Sequence, residues 1–571
     1  MLACAALAGC ATSVPPSETD GAAARAMPTL VLQEPTAEIE YGSFTEDQLY
    51  EAIISELSAQ RGQVAEAGES YFDLAVSTRD ITIIQRAIQF ASVNSDINAL
   101  LQLGMLWAQL EPTNPQPQLL LSIQFLESGA FEQAISHMSR VLELGGNMDF
   151  AVLSSRTSRL DPKVRAVLIE NLRGLKGEFS NQDSIHLTLV QLLAQNGDFQ
   201  EALTELNLLK EDTEPTPNTV MLEAQILQNM DRSERAMRVM RSGIAKFDTD
   251  KALRLSYARM LIQNEEYEQA QKQFQILVEQ DPQDWETLYS VALLDTQLQN
   301  FDQAIAAYTK LIGVNQNADD SHYNLGLIYQ EQGNLDKSIE NFRQVRIGTN
   351  NFLAAQQQAT RLSIQSGRLE DAHDWLSQLS RGQPRLEVLF TTIESTLLIQ
   401  EEHPDAAEQL LNTALNKFPN ETDLLFARVL YYDSQSDKEG SERDLRQIIL
   451  MLPEDSRALN HLGYMLADQT TRHEEALELI ERAIAISPDD PAIIDSLGWA
   501  LYKVGRYEES LVQMRRAFAA FPDDEVASHL GEVLWALERF DEAMRVWQDA
   551  LETDPESPLI AEAMERLQVA E

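Results

Sequence analysis

A chain of 571 residues with 90 acidic against 44 basic side chains, a formal charge of −46, has no concentrated basic surface. That excludes nucleic acid as a partner class and sets the protein against anionic lipid headgroups. Its two cysteines, Cys4 and Cys10, both lie at the N-terminus, so the body holds neither a disulfide framework nor a cysteine-based metal site. The acidity reads as a solvated outer face, with attraction of a basic partner as the alternative. No apolar run reaches the roughly 18–20 residues that span a bilayer.

The first nine residues are a short apolar run ending in Leu7-Ala8-Gly9-Cys10. This resembles the lipobox of bacterial lipoproteins, where small residues precede a cysteine whose thiol accepts diacylglycerol. The resemblance implies a signal peptide over residues 1–9, cleavage after Gly9, and lipidation of Cys10. A basic region should open a signal peptide. Nothing basic precedes Leu7; a start placed too far downstream would account for the difference. Ala11 stands where inner-membrane lipoproteins carry a retention aspartate, so the resemblance implies the periplasmic face of the outer membrane. Residues 10–43, rich in Ala, Pro, Ser, Thr and Glu, lack any amphipathic period. They are expected to be a disordered tether spanning roughly 30 Å on average.

From residue 44 onward the pattern is helical, and a small residue recurs at a fixed phase. Ala202, Ala236, Ala270, Ala304, Ser338, Ala372, Ala407, Ser441, Ala476, Ser510 and Ala543 follow one another at intervals of 33 to 35 residues. Only a close approach of two helices demands a small side chain so regularly. Pro282, Pro384, Pro419, Pro453, Pro488, Pro522 and Pro555 each lie twelve residues after that position. A proline lacks the N–H and clashes with the preceding turn, so these are read as ends of the second helix. Gly129, Gly197, Gly333, Gly367 and Gly505 supply the turn inside each pair. Asp490, Ser557 and Asn114 stand before prolines as expected N-caps.

Phase and composition together resemble the tetratricopeptide (TPR) pattern, a helix–turn–helix repeat of about 34 residues. The expected fold is all-α, a TPR-type helical-hairpin solenoid wound as a superhelix. Residues 44–181 are expected to be degenerate repeats, residues 182–556 the regular array, and residues 557–571 a capping helix. About fifteen helix pairs fit the phases.

Chemistry is sparse. The eight histidines are scattered, and none forms the i, i+4 pair with a carboxylate that a zinc motif needs. There is no glycine-rich phosphate loop and no Gly-x-Ser-x-Gly. The chain is therefore read as a binding protein, not an enzyme, with no cofactor and no metal.

By the TPR resemblance, first helices line a concave groove. Their ninth position falls on Tyr464 and Trp499, and their twelfth on Tyr502 and Trp535. These four are the candidate partner-binding residues, with packing between adjacent helices as the alternative. The basic clamp of chaperone-binding TPR domains is missing: Asn324 and Asn460 occur, but comparable positions in other units carry Tyr289, Asp495 and Ser528.

The lipobox, the tether and the array together resemble TPR lipoproteins of Gram-negative outer membranes. The runs 460–468, 495–499 and 529–535 resemble a subgroup containing an adaptor of a periplasmic carboxyl-terminal processing protease. That resemblance implies a membrane-anchored scaffold that recruits the protease and brings it substrates such as cell-wall hydrolases. The alternative is an outer-membrane assembly factor, pilotin-like or serving a secretion or exopolysaccharide apparatus.

Overall fold

A computed structural model describes residues 44–157 and 160–567. The lipobox, Cys10 and the whole of residues 10–43 lie outside the described residues. Thirty-one helices, and no strand, occur among those described. They form fifteen successive pairs followed by one single helix, Pro558–Arg566. The chain divides into two compact bodies, Met1–Ala307 and Tyr308–Glu571.

The small-residue phase has the packing that motivates it. All eleven side chains, from Ala202 to Ala543, are at most 1% exposed. At all three serine positions the hydroxyl is satisfied by the first helix of the same pair, Ser441 donating to the Asp433 carboxylate at 2.6 Å. Ser338 donates to the Gly326 carbonyl at 2.7 Å and Ser510 to the Gly498 carbonyl at 2.6 Å. Those first-helix glycine positions matter as well. A Cβ on Gly531 would lie 2.0 Å from the Trp547 indole nitrogen, so the fully buried Trp547 ring occupies the space a side chain would need.

In ten of the eleven pairs the turn between the helices adopts one backbone conformation whatever residue occupies it; before Ala476 the first helix instead ends on Thr470 in extended conformation. Five positions before the small residue, Gly197, Gly333, Gly367 and Gly505 have φ between 71° and 91°. Asp231, Glu265, Gln299, Glu402, Ser436 and Glu538 hold the same left-handed slot without being glycine. Such a residue suffers roughly 1–2 kcal/mol of backbone strain.

Helix starts follow side-chain chemistry. Asp490 accepts from the Ala492 N–H with Pro491 at the first position, and Asn114 accepts from Gln116 with Pro115 behind it. Two expectations need correction. Ser557 makes no capping bond; its hydroxyl instead donates to the Asp524 carboxylate at 2.7 Å. Pro384 does not close a second helix but opens the helix Pro384–Gln400, five residues after Leu379 ends the previous one. Fixed φ and a missing N–H suit both places equally, so proline spacing alone cannot separate them.

In the stretch 147–181 the first helix, Ala151–Thr157, has only seven residues. Asp161 then caps a new helix, Pro162–Glu178. Where second helices flank a first helix on both sides, it buries two faces. Pro491–Lys503 buries Ile493, Ile494, Gly498, Trp499, Ala500 and Leu501. Each fully buried Leu or Ile there contributes about 1.5–3 kcal/mol.

Candidate functional site

Three first helices carry the candidate residues: Ser456–Gln469, Pro491–Lys503 and Asp524–Ala536. Successive first helices lie side by side, so residues about one period apart become neighbours. Asp495 and His529, 34 residues apart, are in contact, with the carboxylate 3.0 Å from the imidazole Nδ1. Arg566 of the last helix pairs in the same way with Glu532.

Around the Asp495–His529 contact the structure assembles a stack. The Trp499 ring lies 4.1 Å from the His529 ring at 20° and 5.0 Å from Tyr502 at 19°. The Lys503 ammonium sits 4.4 Å from the Trp499 centroid, and the indole N–H donates to Asp468 at 3.2 Å. Tyr464 reaches past the intervening repeat. Its hydroxyl donates to Glu525 at 2.7 Å, and its ring lies 6.1 Å from His529. The first helices of alternate repeats therefore touch here, and the chain's own side chains fill the space between them.

The four candidate residues do not share one environment. Trp499 is 2% exposed, an interior ring. Tyr464 and Tyr502 are half-buried on the same stack. Trp535 is half-buried but stands apart, edge-on to Phe540 at 4.6 Å and tilted over Trp547 at 5.9 Å. Burial and the Glu525 carboxylate push the Tyr464 phenol upward, and burial beside Glu532 pushes Tyr502 up to about 12. Burial alone would favour neutral His529. Asp495, with Glu525 and Glu532 behind it, outweighs that and holds the imidazole above its ordinary value.

Beside the stack a recess of about 280 Å³ opens between the three helices. Asn460, His461, Tyr464, Asp495, Phe521 and Glu525 line it, and no lysine or arginine does. Phe521 is 56% exposed at its mouth, and the Asn460 carboxamide oxygen is buried without a hydrogen-bond partner. Sequence reasoning missed His529, Asp495, Glu525 and Asp468. The one-period spacing of Asp495 and His529 was the available signal. Among the described residues no three His, Cys, Asp or Glu side chains could hold a metal ion, and no helix is long and apolar enough to cross a membrane.

Stacked helical hairpins with a small-residue seam and side-by-side first helices define a solenoid of the kind that serves protein–protein interaction. The chain belongs to the tetratricopeptide repeat family. A TPR repeat model matches residues 292–333, and a tetratricopeptide repeat model matches residues 426–491 and 496–558. The TPR repeat-containing protein PA4667 of Pseudomonas aeruginosa is 33% identical over 495 residues, covering 86% of this chain and 83% of its own. Among solved structures, a thermophilic TPR protein of Thermus thermophilus is 19% identical with a TM-score of 0.29, covering 32% of this chain and 100% of its own. The Cut9–Hcn1 hetero-tetramer of the APC/C is 13% identical with a TM-score of 0.32, covering 91% and 99%.

Proposed function

We propose that the chain is an adaptor anchored to the outer membrane through Cys10, facing the periplasm. It holds a carboxyl-terminal processing protease and brings cell-wall hydrolases to it. Leu7-Ala8-Gly9-Cys10 supports the anchor. The observation that carries the binding half is the recess at Tyr464, Phe521 and Glu525. It is the one place on the three-helix stack where aromatic surface, unneutralised acid and an unpartnered acceptor meet. Its charge favours a basic side chain on the partner.

Affinity purification from membranes tests the reading. The processing protease co-purifies with the unaltered chain and is reduced at least about tenfold by Tyr464→Ala with Phe521→Ala. Recovery of a secretin or export pore in its place overturns the adaptor reading in favour of an assembly factor. Cys10→Ala moves the protein to the soluble periplasmic fraction; unchanged membrane retention refutes the anchor.

A further inference from the structure

The first helix of the array, Glu46–Gln60, turns its bulkiest apolar side chains outward. Its inward side is Gln48, Ala52, Ser55, Glu56 and Ala59, whereas Leu49, Tyr50, Ile53, Ile54 and Leu57 are 42–68% exposed. At about 100° per residue those five fall within one stripe roughly 140° wide. Further along, the corresponding face is covered by the preceding second helix, as where Val64–Thr78 packs on Ile81–Val93. Here no preceding repeat exists among the described residues. Terminal repeats need a polar outer face to stay soluble. An apolar patch on the order of 500 Å² stands at the top of the range for monomers.

We propose that a second copy of this chain covers the stripe, the two Glu46–Gln60 helices packing antiparallel about a two-fold axis. The residue order fits that arrangement. Glu46 and Arg61, Tyr50 and Leu57, and Ile53 and Ile54 are each equidistant from the point between Ile53 and Ile54. An axis through that point sets Tyr50 against Leu57 of the other copy and Ile53 against Ile54. It also sets Arg61, the exposed basic residue at the helix C-terminus, against the acidic first turn of Glu46 and Asp47. Paired helix dipoles then run in opposition, each terminus beside charge of the favourable sign. Two copies together bury roughly 1,000 Å², the lower limit of a specific interface, so the dimer is weak.

Sedimentation equilibrium tests this on the full chain carrying Cys10→Ala, so that no acyl chain drives association. The expected result is a monomer–dimer equilibrium with a Kd of about 1–100 μM. Ile53→Glu sets carboxylates beside the axis and raises the Kd at least about 100-fold. Ile53 is half-exposed, so far-UV circular dichroism stays unchanged. Arg61→Glu weakens the dimer, and adding Glu46→Arg restores it. A monomer at every concentration, or a dimer indifferent to Ile53→Glu, overturns the proposal. Failure of the charge swap to restore association rules out the antiparallel register. A monomer whose residues 46–60 resist hydrogen exchange assigns the stripe to the chain's own preceding segment and equally overturns it.

Discussion

Trp499→Ala separates an interior ring from a binding ring. The indole is 2% exposed, stacked on His529 and Tyr502, and tied to Asp468 through its N–H. Truncating a buried tryptophan costs about 3–5 kcal/mol. The variant also leaves the Asp468 carboxylate without its donor and uncovers one face of the Asp495–His529 contact. In a stacked array each repeat is stabilised by its neighbours, so the loss should stay within residues 456–567. A global melting curve is a poor readout, because long arrays need not unfold in two states. Native-state hydrogen exchange resolves the effect by helix. Opening free energies in Ser456–Gln469, Pro491–Lys503 and Asp524–Ala536 should fall by about 3–5 kcal/mol, while Pro115–Glu127 and Phe131–Glu143 stay unchanged. A fall below about 1 kcal/mol, combined with lost partner binding, would show that the ring faces a ligand and that its packing is misassigned.

Two further outcomes follow from the charges and the turns. His529 is held above its ordinary value in the folded chain, so the Asp495 contact contributes fully below the unfolded imidazole value of about 6.5 and is lost as pH rises through the folded one. Exchange protection of Asp524–Ala536 should therefore be greater at pH 6 than at pH 9, and His529→Gln should abolish that difference; an unchanged slope in the variant refutes the assignment. Glu265 is exposed and sits in the left-handed turn slot at φ 61°, so Glu265→Gly relieves about 1–2 kcal/mol of strain against about 0.5–1 kcal/mol of chain entropy. Local stability should rise by a few tenths to about 1 kcal/mol, and a loss would mean that the glutamate side chain contributes more than the turn strain.

The repeat was legible because one position per pair tolerates nothing larger than serine, and eleven copies set a phase that no local ambiguity could shift. The ends of helices were less legible. Proline at Pro384 obeys the same spacing as Pro419 yet begins a helix, since its ring suits a first turn as well as it forbids an interior one. Ser557 looked like a cap by position, but the neighbouring first helix offers Asp524, a charged acceptor and the stronger partner. The candidate site was half legible. Helix position singled out Tyr464, Trp499 and Tyr502, and these three side chains gather around one stack. The Tyr464–Glu525 bond joins residues 61 apart, almost two periods, and depends on how tightly successive repeats coil. No periodicity carries that information. The outward stripe of Glu46–Gln60 was hidden for the opposite reason: its apolar spacing is that of any amphipathic helix, and only the fold reveals which side has no neighbour.

Closure of the C-terminal repeats on themselves changes where recognition can occur. A groove lined by free aromatic rings would bind through Trp499, the largest of them. Here that ring is already stacked on both faces, and the stack is locked by Asp468, Asp495 and Lys503. Extracting it for a partner would forfeit the packing of three helices. Recognition is then left to the rim, where Tyr464 keeps partial exposure, Phe521 projects, and Glu525 already accepts one hydrogen bond. A basic side chain entering the recess can pair with Glu525 without disturbing the stack beneath. On the proposed reading, the buried Asp495–His529 contact positions the rim, and the rim is the part of the stack offered to a partner.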